Sequence, residues 1–210
     1  MNLHEILNSL SYERPVFYSE ADFQHALAWE IHKKHPQYQL RLEYNPHVFQ
    51  GRTHIDIWVR TDEGINIAIE LKYKTKKTSI TYNNEIFNLQ KHGAPANNRF
   101  LVVGDLQRIE HTVRECEQTI GYVIMLTNDN GYWREWKEGE TKDRDFRIQH
   151  GRLLTGVLRW KEDTAPSTIN KHGESLTISG RYHLGWKDYS NLSNVNHGLF
   201  KYLLIEVNNL

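Results

Sequence analysis

The chain has 210 residues, 39% of them hydrophobic, with six Trp and eleven Tyr, which excludes a disordered chain. A single domain of this length buries roughly 70% of its unfolded surface. The 26 basic and 26 acidic residues cancel, so any recognition of a polyanion must rest on a local basic patch rather than on net charge. Cys116 is the lone cysteine, which rules out an intramolecular disulfide and sets the expectation of an intracellular, cytoplasmic protein. No stretch is apolar enough to span a membrane, and Met1 to Ile6 lack a signal-peptide core.

The first readable element is a helix. Ser19 is a good N-cap, with Glu20 in the first turn and Asp22 three residues on. Phe23, Ala26, Leu27 and Ile31 give an amphipathic spacing that must stop near Pro36. Glu20 and Glu30 both project within about 50° of the apolar stripe, so either can complete a site beside this helix. Gln24, one turn on, is a weaker polar candidate. Gln39 to Tyr44 reads as the first strand.

The next two strands carry the chemistry. His54-Ile55-Asp56-Ile57-Trp58-Val59 and Ile67-Ala68-Ile69-Glu70-Leu71-Lys72 flank Thr61-Asp62-Glu63-Gly64-Ile65. A three-residue loop over Asp62, Glu63 and Gly64 puts Gly last, where positive φ is needed. The hairpin then centres on residue 63, Ile57 meets Ile69, Val59 meets Ile67, and Ile55 meets Leu71. On the other face Asp56 meets Glu70 and His54 meets Lys72. A one-residue slip would scramble both faces.

Two carboxylates side by side raise each other's pKa unless a cation lies between them. Magnesium takes oxygen ligands, with one or two protein carboxylates plus water and phosphate. Lys72, two residues beyond Glu70, shares its face and is placed to stabilise charge on a phosphate or to help position and deprotonate an attacking water. The Leu71 carbonyl is a further candidate ligand. The bland reading is a half-exposed hairpin with a solvated polar face.

These residues, Asp56 followed by Glu70-Leu71-Lys72, resemble the PD-(D/E)XK nuclease superfamily, whose fold is restriction-endonuclease-like. Ile55 stands where that motif often has Pro. The resemblance covers roughly residues 19 to 127 and implies a core of helix, three-stranded meander, helix and strand. It implies a magnesium- or manganese-dependent endonuclease acting on DNA, in restriction, repair or mobile-element biology, with Asp56, Glu70, Leu71 and Glu20 as metal ligands. Asp56, Glu70, Lys72 and Glu20 are then the catalytic set, and a homodimer is one arrangement. The alternative is a catalytically weak or inactive module of this fold that binds nucleic acid or a protein.

Further along, Lys72, Lys74, Lys76 and Lys77 form a basic patch, suited equally to phosphate contact and to guarding a strand edge. Tyr82 to His92 reads as a helix ending before Gly93 and Pro95. Arg99 to Val103 reads as a strand. Asp105 opens a helix through Leu106, Ile109, Val113 and Cys116, and Gly121 to Thr127 is a strand, giving a parallel crossover. Lys137 to Arg147 is a mixed charge run expected to be a solvated loop. Leu153 to Trp160, Ser175 to Gly180 and Tyr202 to Val207 read as strands. Arg99, Arg181 and Lys187, with Tyr182, Trp186 and Tyr189, are candidates for gripping phosphates or stacking on bases, although aromatics there are more often core. The whole reads as one α/β domain, residues 1–210, with a mixed sheet flanked by helices and an elaborated C-terminal half from about 128 to 210. The twelve histidines form no zinc motif, and no phosphate-binding glycine loop or nucleophile elbow occurs.

Overall fold

The computed structural model describes residues 1–49, 53–136, 141–173 and 175–208, with side chains at 170–172 excepted. Among these, the elements follow as α1 (Leu3–Glu13), α2 (Glu20–Lys34), β1 (Gln39–Tyr44), β2 (Ile55–Arg60), β3 (Asn66–Lys74), β4 (Thr78–Tyr82), β5 (Glu85–Leu89), α3 (Pro95–Glu115), β6 (Thr119–Thr127), β7 (Leu153–Arg159), α4 (Pro166–His172), β8 (Ser175–His183), β9 (Trp186–Asn191) and β10 (Leu199–Val207). The fold is mixed α/β. A six-stranded sheet has the order β1-β2-β3-β6-β10-β9, and two hairpins, β4–β5 and β7–β8, stand apart from it. β3 and β6 are parallel, and the other described pairs are antiparallel.

The sheet separates two cores. Leu7, Leu10, Phe23, Leu27 and Ile31 from α1 and α2 pack with Ile57, Val59, Ile67, Ile69 and Leu71 on one face. Phe100, Val103, Leu106 and Ile109 from α3 pack with Trp58, Ala68, Val123 and Met125 on the other. α3 can lie this close because Gly121 has no side chain: a Cβ there would come within 2.2 Å of Ile109 Cγ2 and 2.9 Å of Val113 Cγ2.

Several expectations hold. Ser19 caps α2 by accepting the Asp22 amide at 3.1 Å. The β2–β3 register is the expected one, with Ile57 opposite Ile69 and Val59 opposite Ile67. Gly64 takes φ +83°, and its amide donates to the Thr61 carbonyl to close the loop.

Other expectations fail for identifiable reasons. Residues 82–92 are not a helix but part of the β4–β5 hairpin. Asn83 and Asn84 both adopt positive φ, the geometry of a two-residue hairpin turn. Residues 99–103 are not a strand but lie within α3, which starts at Pro95 and runs for 21 residues. The parallel crossover therefore joins β3 to β6 through α3. Helix α1, not anticipated, buries Leu3, Ile6, Leu7 and Leu10. Ile55 does not meet Leu71: it packs with Trp58 on the α3 side, and the β2–β3 ladder stops at Ile57. The 137–147 run is only partly solvated, since Asp143, Phe146 and Arg147 are buried; 137–140 lie outside the described residues.

Candidate functional site

The site forms where β3 outruns β2. Beyond the Ile57–Ile69 pair, the β3 backbone has no β2 partner, and side-chain carboxylates take over. Asp56 Oδ2 accepts the Leu71 amide at 2.6 Å, and Glu20 Oε2 accepts the Tyr73 amide at 2.7 Å. Two alternate amides of one strand end are thus satisfied by carboxylates from β2 and from the first turn of α2. The distortion that releases Asp56 is visible opposite it. Glu43, in β1, adopts φ +51°, a conformation costing a non-glycine residue of order 1 kcal/mol. Gln24 Nε2 bridges the two strands, donating to Glu43 Oε1 at 2.8 Å and to the Asp56 carbonyl at 2.7 Å.

On the α3 side, Glu70 lies beside Asp56, close enough for each carboxyl to bear on the other's titration. Glu70 is 1% exposed. Two α3 residues complete the cluster. Arg108 Nε donates to Glu70 Oε1 at 2.8 Å, and Arg108 Nη2 donates to Asp105 Oδ1 at 2.6 Å. The Lys72 ammonium lies 2.7 Å from Asp105 Oδ2 and donates to the Leu71 carbonyl at 3.0 Å. Three carboxylates therefore face two cations.

The protonation state follows. Burial pushes the Glu70 carboxyl up to about 8 against the pull of Arg108, with Asp105 and Asp56 adding repulsion. Burial likewise raises Asp56, opposed by the Leu71 amide and Lys72. Burial works to lower Lys72, but Asp105, Glu20 and Asp56 outweigh it and raise its pKa. Burial is the first cause at both carboxyls, and the two cations only partly offset it.

Of the sequence candidates, Asp56, Glu70, Lys72 and Glu20 converge on this strand end, with Gln24 beside them. Glu30 does not: it is buried nearly three turns further along α2, 3.0 Å from Lys33 and 3.7 Å from Lys34. His54 precedes β2 and is exposed. The lysine patch is largely paired within the molecule, Lys74 with Glu20 at 3.0 Å and Lys76 with Asp129 at 3.2 Å. Arg99 grips no surface: it is buried against Asp143 at 2.5 Å. Trp186 and Tyr189 are core, while Arg181 and Lys187 are exposed. Asp105 and Arg108 escaped sequence reasoning because their segment reads as strand-then-cap. Their i, i+3 spacing on a continuous helix was the available signal.

The donor set of Asp56, Glu70 and the Leu71 carbonyl is all oxygen and fits a hard divalent cation, which needs only one or two protein carboxylates. Among the described residues no group of three or more His, Cys, Asp or Glu is arranged to hold an ion. The reason is local, since Arg108 and Lys72 already engage Glu70, Asp105 and the Leu71 carbonyl. No helix among the described residues is long and apolar enough to cross a membrane. Compared with known proteins, the chain matches no family model, no curated protein and no solved structure.

Proposed function

We propose that the protein is a magnesium- or manganese-dependent endonuclease that hydrolyses DNA phosphodiester bonds, of the PD-(D/E)XK kind its motif resembles. The observation that carries the reading is the strand end itself. The Asp56 and Glu70 carboxyls lie side by side, with Lys72 next on β3 and Glu20 on the neighbouring amide. Asp56, Glu70 and the Leu71 carbonyl would hold the ion, with Glu20 reaching it directly or through water. A bound divalent ion supplies Lewis-acid stabilisation of a phosphoryl oxygen and an acidified water.

The residues themselves do the rest. Lys72, held protonated by Asp105, acts as a fixed cation facing the developing phosphoryl charge rather than as a base. Asp105 positions that ammonium from α3. Gln24 fixes the backbone that presents Asp56. The test is incubation of supercoiled, linear and single-stranded DNA with magnesium, manganese or EDTA. Cleavage is expected with either metal, none with EDTA, and none in Glu70→Ala.

One observation favours a second reading, a nuclease-fold module that binds nucleic acid or protein without cutting it. Arg108 pairs with Glu70, and such a pair can serve as a permanent structural substitute for an ion. Wild-type protein that cuts no DNA or RNA with either metal would decide for that reading.

A further inference from the structure

A cavity of about 520 Å³ opens on the α3 side of the site. Its floor is one face of α3, where Gln107, Arg108, His111 and Arg114 recur at helical spacing. The opposing wall is β8, through Thr177 and Ser179, and Phe49 closes one side. Arg108 and Arg114 both line it. Arg108 already donates to Glu70 and Asp105, whereas Arg114 is exposed and donates to the neutral Ser179 hydroxyl. Glu110, also in the lining, is consumed internally. Glu110 accepts the Ser179 amide at 2.9 Å, the Gly180 amide at 2.7 Å and the Tyr182 hydroxyl at 2.9 Å. The wall also carries two rings: Phe49 and His111 lie 5.2 Å apart, tilted by 50°. Arg108 belongs to both places, because the same guanidinium holds Glu70.

We infer that this cavity binds one unpaired nucleotide of the substrate strand, next to the phosphate presented to Glu70. The inference rests on the nuclease reading and gives it a substrate class. The Arg114 guanidinium suits a phosphate, and the Phe49–His111 pair offers a stacking surface for a base. The Gln107 amide and the Thr177 and Ser179 hydroxyls offer donors and acceptors for a base edge. The volume falls in the range of single-ligand sites, roughly 300–1,000 Å³, and stacking on its rings needs a base face that a duplex keeps covered. A nucleotide reaching it must come from a single strand, a flap or a bubble, or be turned out of the helix.

The test uses fluorescein-labelled DNA in EDTA, where no cleavage occurs, read by fluorescence anisotropy. Wild type is expected to bind a single strand or a bubbled duplex more tightly than a blunt duplex of the same sequence. Arg114→Ala should weaken single-strand binding about tenfold or more, the size of a lost charged hydrogen bond. Arg114→Lys should recover most of that loss, although it too loses the fork that donates to Ser179 at 3.2 Å. A purely structural Arg114 would instead lower the melting temperature in both variants and leave the binding preference unchanged. Ultraviolet crosslinking with mass spectrometry should place the strand on Phe49 or His111. Equal affinity for single strand and blunt duplex, unaltered binding in Arg114→Ala, or crosslinks confined elsewhere would overturn the inference. Cleavage without these effects leaves the nuclease reading standing alone; these effects without cleavage leave the cavity standing alone.

Discussion

Two clusters of charge are buried in this molecule, and they behave oppositely. In one, Arg99 bonds Asp143 at 2.5 Å and the Gly131 carbonyl at 2.9 Å, while Arg147 approaches Asp143 at 3.7 Å and stacks over Trp136. One carboxylate is shared by two guanidiniums. Burial works to raise Asp143, but Arg99 and Arg147 outweigh it and hold it below the usual range. In the other cluster, Asp56, Glu70 and Asp105 share Lys72 and Arg108, and burial wins at Glu70 and Asp56. Burial of charge is common to both. What differs is the sign of the charge in excess: two guanidiniums around one carboxylate in the first cluster, three carboxylates around two cations in the second.

The largest expected effect separates the two clusters directly. Arg99→Ala removes the nearest cation from a buried carboxylate, leaving Thr141 and the more distant Arg147, and breaking such a pair typically costs about 3–5 kcal/mol. Urea denaturation should show that loss, and the folded fraction should cleave DNA normally. Glu70→Gln should do the reverse. Its amide mimics the protonated carboxyl that the site favours, so stability should change by about 1 kcal/mol or less while cleavage disappears. If Arg99→Ala abolishes cleavage by folded protein and Glu70→Gln preserves it, the contrast between the clusters is wrong.

The next effect concerns Lys72. Removing a preorganised charge of this kind slows chemistry about a hundredfold or more. Lys72→Ala should therefore cut the rate far more than it weakens DNA binding, as single-turnover kinetics and anisotropy would distinguish. A variant that cleaves like wild type removes Lys72 from the reaction.

How much of this contrast is visible in the sequence depends on the range of the signal. The β2–β3 hairpin was legible because register is local: Gly64 fixes the loop, and the alternation of Ile57, Val59, Ile67 and Ile69 permits one pairing. Ser19 and Glu20 were legible because capping is a property of four consecutive residues. The break at Ile55 was not. It comes from Glu43 and Gln24 pulling on the strand from two other elements, and no pattern within 54–59 announces it. The segment 99–103 misled because Arg-Phe-Leu-Val-Val is strand-like in composition. The helix is decided by Pro95 at its start and by packing through Arg99, Val102, Val103, Leu106 and Ile109. Once α3 was misplaced, Asp105 and Arg108 could not be set against Glu70. The paired cations of the site were therefore hidden by one wrong element, not by weak chemistry.

A metal sharpens the comparison further. An ion held by Asp56 and Glu70 stabilises the folded state by mass action, about 2.7 kcal/mol at a hundredfold excess over its Kd. Magnesium should raise the melting temperature of wild type and leave Asp56→Asn unmoved, and calorimetry should detect binding only in the former. Arg99→Ala should respond to magnesium as wild type does. Equal affinity in wild type and Asp56→Asn would place the ion elsewhere.

The last effect is the most specific to the surplus carboxylate. The Glu70 carboxyl rises from an ordinary value near 4.5 to about 8 in the folded protein. A raised carboxyl holds its proton in the folded state after the unfolded chain has released it. Its contribution to stability is thus complete below about pH 4.5 and is lost as pH rises toward 8, with a slope of at most about 1.4 kcal/mol per pH unit. Asp143 has the opposite sign, contributing stability above the ordinary Asp range and losing it only on acidification. Urea midpoints of wild type should therefore fall between pH 5 and pH 8 by more than those of Glu70→Gln, whose amide does not titrate. Arg108→Ala removes the cation that opposes burial, so Glu70 keeps its proton to still higher pH and the decline moves alkaline. Parallel profiles for wild type and Glu70→Gln across that window would mean that Glu70 is already ionised beside Arg108, and that the second cluster is as closed as the first.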